Sequence, residues 1–121
     1  MQYLLLIYDD ETTWAEMPEA ERNGYFQEYM KYTSDLQQAG VLVGADQLQP
    51  TSTATVVRVR DGEQIVTDGP FTEAKEVLGG YYLIDVSSLD EALEWAAKIP
   101  SARLGGIEVR PVVMREAEVG A

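Results

Sequence analysis

Two stretches, YLLLIY (Tyr3–Tyr8) and GGYYLIDV (Gly79–Val86), carry apolar side chains at odd and even positions alike. Successive side chains of a β-strand point to opposite faces. A strand in a sheet with one wet face therefore alternates apolar and polar residues. Here Tyr3, Leu5 and Ile7 lie back to back with Leu4, Leu6 and Tyr8, and Tyr82, Ile84 and Val86 with Tyr81 and Leu83. Both faces of these strands call for cover. At 121 residues the chain makes one domain, and its helices can cover only one face of a sheet. The other face is most simply covered by the sheet of a second copy, so a homodimer is expected.

The rest of the pattern gives the order β-α-β, a hairpin, then β-α-β. The acid-rich DDETTWAEMPEAE reads as a loop, with Pro18 placed for the first turn of a helix. Phe26, Tyr29, Met30, Thr33, Leu36 and Ala39 recur at helical spacing to Gly40, a natural stop. VLVG (Val41–Gly44) opens a second strand, and ATVVRVRDGEQIVTD reads as a hairpin about Asp61-Gly62, a pair that favours a type I′ turn. Ser88-Leu89-Asp90-Glu91 has the form of a capping box, opening a helix with Leu89, Ala92, Leu93 and Ala96 on one face and Pro100 after its end. Pro111 places the last strand, Gly106–Val113, at or near a sheet edge. This order fits an α+β, ferredoxin-like (split βαβ) sandwich with an inserted hairpin, dimeric through its sheet face. The domain is read as residues 1–115, with 116–121 an unordered tail.

Composition restricts the chemistry. With 21 acidic against 9 basic residues the net charge is −12, which disfavours nucleic acid and anionic membrane as partners. YLLLIY is too short to span a bilayer and no basic segment precedes it, so a soluble cytoplasmic protein is expected. The chain has no Cys and no His. That excludes a disulfide, a thiolate nucleophile, a Cys/His zinc site, a Ser-His-Asp triad and histidine ligation of haem. Proton transfer near neutral pH falls to a perturbed carboxylate, Lys or Tyr, or to the terminal amine. No metal and no cofactor is expected.

TDGPFTEAKEVLGGYYLIDV, preceded by AGVLVGADQLQP and followed by SLDEALEWAAKIP and IEVRPV, resembles the DGPF branch of the YCII-related domain proteins over Tyr3–Val112. The resemblance implies a ferredoxin-like domain that dimerises sheet to sheet, with a cleft near the dimer interface and no established reaction for this branch. It also implies an association with genes lying beside those of extracytoplasmic-function sigma factors. The wider family includes members with a His-Asp pair proposed as an acid–base dyad and a dehydrochlorinase-type enzyme. This chain lacks the histidine, and where relatives commonly carry one it reads Leu48-Gln49-Pro50. Gln49 donates and accepts hydrogen bonds but moves no proton at neutral pH.

Asp68, in the turn Asp68-Gly69-Pro70-Phe71, is the candidate catalytic carboxylate. Lys75, Glu76, Phe71, Tyr82 and Gln49 are the candidate ligand-binding groups. Against this stands a structural reading that explains the same residue types. In it Asp68 anchors a corner by accepting turn N–H groups, an extended Gly69 precedes Pro70, and Phe71 plugs the core. Lys75-Glu76, on a helical turn begun by Thr72, are then a solvated pair, Arg58 and Arg60 pair with Glu63, and Asp9-Asp10-Glu11 is a solvated acidic loop. Two functions follow. One is a dimeric small-ligand-binding or accessory module; the alternative is a cofactor-free lyase or isomerase for a small polar or aromatic molecule. Asp68 buried without backbone donors favours the enzyme, and Asp68 saturated by turn N–H groups favours the module.

Overall fold

The computed structural model describes residues 1–115; the tail read at 116–121 lies outside the described residues. The strands are β1 (Gln2–Asp9), β2 (Leu42–Gln47), β3 (Thr55–Arg60), β4 (Glu63–Asp68), β5 (Val77–Asp85) and β6 (Gly106–Pro111). The helices are α1 (Glu11–Glu16), α2 (Glu19–Gln38) and α3 (Leu89–Ala97), with 3₁₀ turns at Thr51–Thr53 and Pro100–Arg103. Four strands form one antiparallel sheet in the order β2-β5-β1-β6. This α+β arrangement is consistent with a ferredoxin-like fold.

The alternation in β1 and β5 sorts the side chains as their periodicity requires. Tyr3, Leu5, Ile7, Tyr82, Ile84 and Val86 are buried and meet Tyr32 and Leu36 of α2, Ala92 and Ala96 of α3, and Ile99. The opposite, outer face presents Leu4, Leu6, Tyr8, Tyr81 and Leu83, each half-buried. Its margin is polar: the Tyr81 hydroxyl donates to Asp46 at 2.8 Å, and the Tyr8 hydroxyl to Glu108 at 3.5 Å. β6 is an edge strand and ends on Pro111, which has no N–H to offer a further strand.

The acidic segment after β1 folds where a loop was expected. Asp10 caps α1 by accepting from the Thr12 N–H at 2.9 Å. The helix α2 buries Tyr32 and Leu36, while Phe26 and Met30 stand out at 63% and 60% exposure. On α3 the buried residues are Ala92 and Ala96; Leu89 and Leu93 are exposed. The capping box is half formed. Ser88 Oγ accepts from the Glu91 N–H, but the Glu91 carboxylate reaches the N–H and hydroxyl of Ser87 rather than the cap residue.

β3 and β4 form a separate two-stranded hairpin between β2 and β5. Its turn residues Asp61 and Gly62 have φ of 52° and 79°, as a type I′ turn needs. One face carries Val57, Val59 and Val66; the other carries Arg58, Arg60 and Ile65. Arg60 Nη1 donates to the carbonyl of Val59, and Arg58 lies over the Phe71 ring at 4.8 Å. The expected pairing of these arginines with Glu63 does not occur, because each guanidinium has a nearer, local partner.

Candidate functional site

The end of β1 builds one wall of a cleft. Asp9 is buried and accepts from Trp14 Nε1 at 2.8 Å, which folds α1 back against the strand end. Glu11, the first residue of α1, receives the backbone N–H of Thr51 at 2.9 Å and the Thr51 hydroxyl. These contacts draw the segment after β2 onto α1. Trp14 in turn meets Tyr25 edge to face at 5.3 Å, and the Arg103 guanidinium covers that ring at 5.1 Å while pairing with Glu28 at 2.8 Å. Asp9-Asp10-Glu11 is thus a set of three structural acceptors and not a solvated loop. Two of these contacts are local, Thr12 on Asp10 and Trp14 on Asp9, and the signal that no local pattern announces is Thr51, forty residues from Glu11.

The opposite wall is the irregular segment between β4 and β5. The cleft, of about 390 Å³, is lined on this side by Pro70, Thr72, Glu73, Ala74, Lys75 and Val77, and on the other by Asp10, Glu11, Thr12 and Thr51. Lys75 is its cation. The Thr12 hydroxyl and N–H, with a smaller contribution from the charge of Lys75, hold the Asp10 carboxyl below its ordinary value. Such a carboxylate is a weaker base than free aspartate. The hydroxyls of Thr12 and Thr51 are already turned onto Asp10 and Glu11.

Of the candidate catalytic and ligand-binding residues named from the sequence, only Lys75 lines this cleft. Asp68 is exposed at the last position of β4 and faces Thr55 in the ladder. It fits neither expected alternative, since it is not enclosed and the nearest turn donor, the Gly69 N–H, goes to the carbonyl of Ala54 at 2.8 Å. Gly69 is not extended but has φ of 108°, a conformation nearly reserved to glycine. Phe71 is no core plug: it is 73% exposed, with Arg58 over its ring. No helical turn forms at Thr72–Glu76, and Glu76 and Gln49 are exposed outside the cleft. Tyr82 is buried beneath α2, where its hydroxyl shares a 2.8 Å hydrogen bond with Thr33 and its ring meets Tyr32 edge to face.

Tyr82 belongs to a buried phenol group that the sequence does not announce. Tyr32 donates to the carbonyl of Trp95 at 2.9 Å, and Tyr29 shares a short hydrogen bond with the buried Ser101. Burial pushes Tyr29 up to about 12 and raises Tyr32 and Tyr82 as well. All three stay neutral at physiological pH and act as satisfied core polar groups. Among the described residues no cluster of three carboxylates suited to a metal ion is found. No helix there is long and apolar enough to cross a membrane.

The YCII-related domain matches residues 1–116. An uncharacterized protein of Rhizobium meliloti (strain 1021) is 39% identical over 116 residues, 94% of each chain. Among solved structures, the 5-chloro-2-hydroxyhydroquinone dehydrochlorinase of Burkholderia phenoliruptrix, in complex with 2,5-dihydroxybenzoquinone, is similar with a TM-score of 0.54. That likeness covers 97% of this chain and 98% of the other at 15% sequence identity, and it concerns the fold alone.

Proposed function

The chain belongs to the YCII-related domain family, and from that premise we propose that it is a cytoplasmic, homodimeric small-ligand-binding module of that family's DGPF branch. Its ligand is a small polar molecule held between α1 and the Pro70–Val77 segment. One observation carries this reading. Lys75 lines the cleft without an ion-pair partner among the described residues, while the carboxylates beside it, Asp10 and Glu11, already accept from Thr12 and Thr51. The ammonium is the one cation that the cleft offers a ligand. Three carboxylates, Asp10, Glu11 and Glu73, flank that single cation, so a multiply charged anion is disfavoured and a neutral or singly charged ligand fits best.

The similar fold of a dehydrochlorinase favours a second reading, a cofactor-free lyase or isomerase acting on a small polar or aromatic molecule. Two observations weigh against it. The cleft holds no histidine, and Asp68, the candidate base, lies outside the cleft and open to water. A thermal-shift panel of hydroxylated aromatics (2,5-dihydroxybenzoquinone among them), small carboxylates and small amines tests both. A ligand found in this way should bind about tenfold more weakly to Lys75→Met, from loss of one charge-assisted hydrogen bond of about 1.5 kcal/mol. Asp68→Asn should bind it unchanged. Binding indifferent to Lys75 would place the site elsewhere, and chemical turnover of the compound would establish the enzyme.

A further inference from the structure

We propose that the β3–β4 hairpin is the brace of the cleft, and that Arg58 and Phe71 are positioning residues whose stack holds the Pro70–Val77 wall, with Lys75, in place across from α1. The proposal rests on the reading of the cleft as a ligand site, and it assigns that site two determinants outside its lining. The wall that carries Lys75 has little of its own to hold it. Among the described residues no backbone group from Phe71 to Lys75 takes part in a backbone hydrogen bond, and the stretch belongs to no helix or strand. Such a stretch keeps its place through side-chain contacts. Phe71 supplies one: it is 73% exposed, so it serves no core, and the Arg58 guanidinium lies 4.8 Å from its ring centre. The ring face attracts the cation. Gly69, with φ of 108°, and Pro70, with its fixed φ, turn the chain out of β4 and send Phe71 there.

Arg58 is in turn tied to the other wall. Glu11, at the head of α1, accepts from the Thr51 N–H at 2.9 Å, and the Thr51 carbonyl accepts from the Ala54 N–H at 3.0 Å. The Ala54 carbonyl then accepts from the Gly69 N–H at 2.8 Å, which closes the base of the hairpin. Arg58 stands on β3 opposite Ile65 and reaches over Phe71. A circuit of contacts thus runs from α1 through the hairpin to the segment that bears Lys75. It brings Lys75 near enough to α1 for its charge to help hold the Asp10 carboxyl down. The stack is the weakest link, since one exposed cation–π contact biases a two-state equilibrium about two- to fivefold. Breaking it should release the Lys75 wall and leave α1 where it is.

The chain has no cysteine, so Ala74→Cys gives a nitroxide spin label a single attachment point on that wall. Paramagnetic broadening of the Glu11 and Thr12 amide signals of the full chain then measures how closely the wall faces α1. Phe71→Leu and Arg58→Met should each reduce this broadening about two- to fivefold, the worth of the contact. The double variant should lose no more than either single one, because both act through one interaction. Phe71→Tyr, which keeps the ring, and Val57→Ala, on the other face of the hairpin, should leave the broadening unchanged. Should Phe71→Leu lose its circular dichroism, Arg58→Met reads the same contact. Broadening indifferent to the loss of the ring or of the cation overturns the brace, as do additive losses in the double variant or a loss in Phe71→Tyr equal to that in Phe71→Leu. Broadening that follows the stack, while no compound of the thermal-shift panel depends on Lys75 for binding, supports the brace and removes the ligand from the cleft.

Discussion

Gly69 and Asp68 exchange the roles that their residue types announce. The turn is a corner, but glycine holds it. Gly69 adopts φ of 108° and gives its N–H to Ala54, whereas the Asp68 carboxylate points into water. Asp68→Ala and Asp68→Asn should therefore both fall within about 0.5 kcal/mol of the parent in urea denaturation, as surface substitutions do. Gly69→Ala, forced into a conformation that L-residues avoid, should cost about 1–3 kcal/mol. A clear gap between the two Asp68 variants would restore the aspartate anchor. The buried phenols set an alkaline limit. Tyr29, lifted by burial to about 12, binds its proton more tightly folded than unfolded, as do Tyr32 and Tyr82. Their contribution is therefore complete below the unfolded value of about 10 and is lost as pH rises through the folded ones. Phenolate absorbance should show these tyrosines ionising only together with loss of near-ultraviolet circular dichroism. Lys75 was legible as a candidate through its sequence block, and it lines the cleft. Asp9, Asp10 and Glu11 were not, because a run of acids looks the same whether water or Trp14 and Thr51 supplies the donors.

At the scale of elements, strands were easier to read than helix faces, for a geometric reason. A period of two leaves only two faces to choose between, and β1 and β5 turned out apolar on both. On α2 two neighbouring strips repeat equally well. Tyr25, Tyr29, Tyr32 and Leu36 form the one that packs inward, and Phe26, Met30, Thr33 and Gln37 flank it. Periodicity alone cannot choose between strips about 100° apart, and tertiary contact with Tyr82 and Trp95 decides it. The choice has a measurable cost. Leu36, fully buried, should lose about 2–5 kcal/mol as Leu36→Ala, while Met30→Ala, at 60% exposure, should lose under about 1 kcal/mol in thermal or chemical denaturation. Equal losses would put both residues in covered positions. The short helix α1 escaped notice because six residues give no periodic signal, and its order comes from the Asp10 cap and the Trp14 indole.

For the whole molecule, the two faces of β1 and β5 should respond differently to an introduced charge. Leu5 is fully buried among the helices, so Leu5→Asp should abolish the folded state itself. Leu83 lies on the outer face, so Leu83→Asp should leave a folded chain, visible by circular dichroism, that sediments as a monomer at micromolar concentration. Unchanged sedimentation would remove that face from the interface. The strand order has a further consequence, in time rather than in energy. β1, which precedes β5 and β6 in the sequence, is held between them, with Tyr3 opposite both Ile84 and Pro111. Its apolar residues must wait, unpaired, until β5 and β6 have been synthesised. Loop-closure entropy is then met before the central pairings exist, which makes for slow folding and a long interval of exposed strand. Because the Val112 N–H already reaches the carbonyl of Gln2, joining these ends and reopening the chain at Asp61-Gly62 would turn the most distant pairing into a neighbouring one. Such a permuted chain should reach the same sheet sooner.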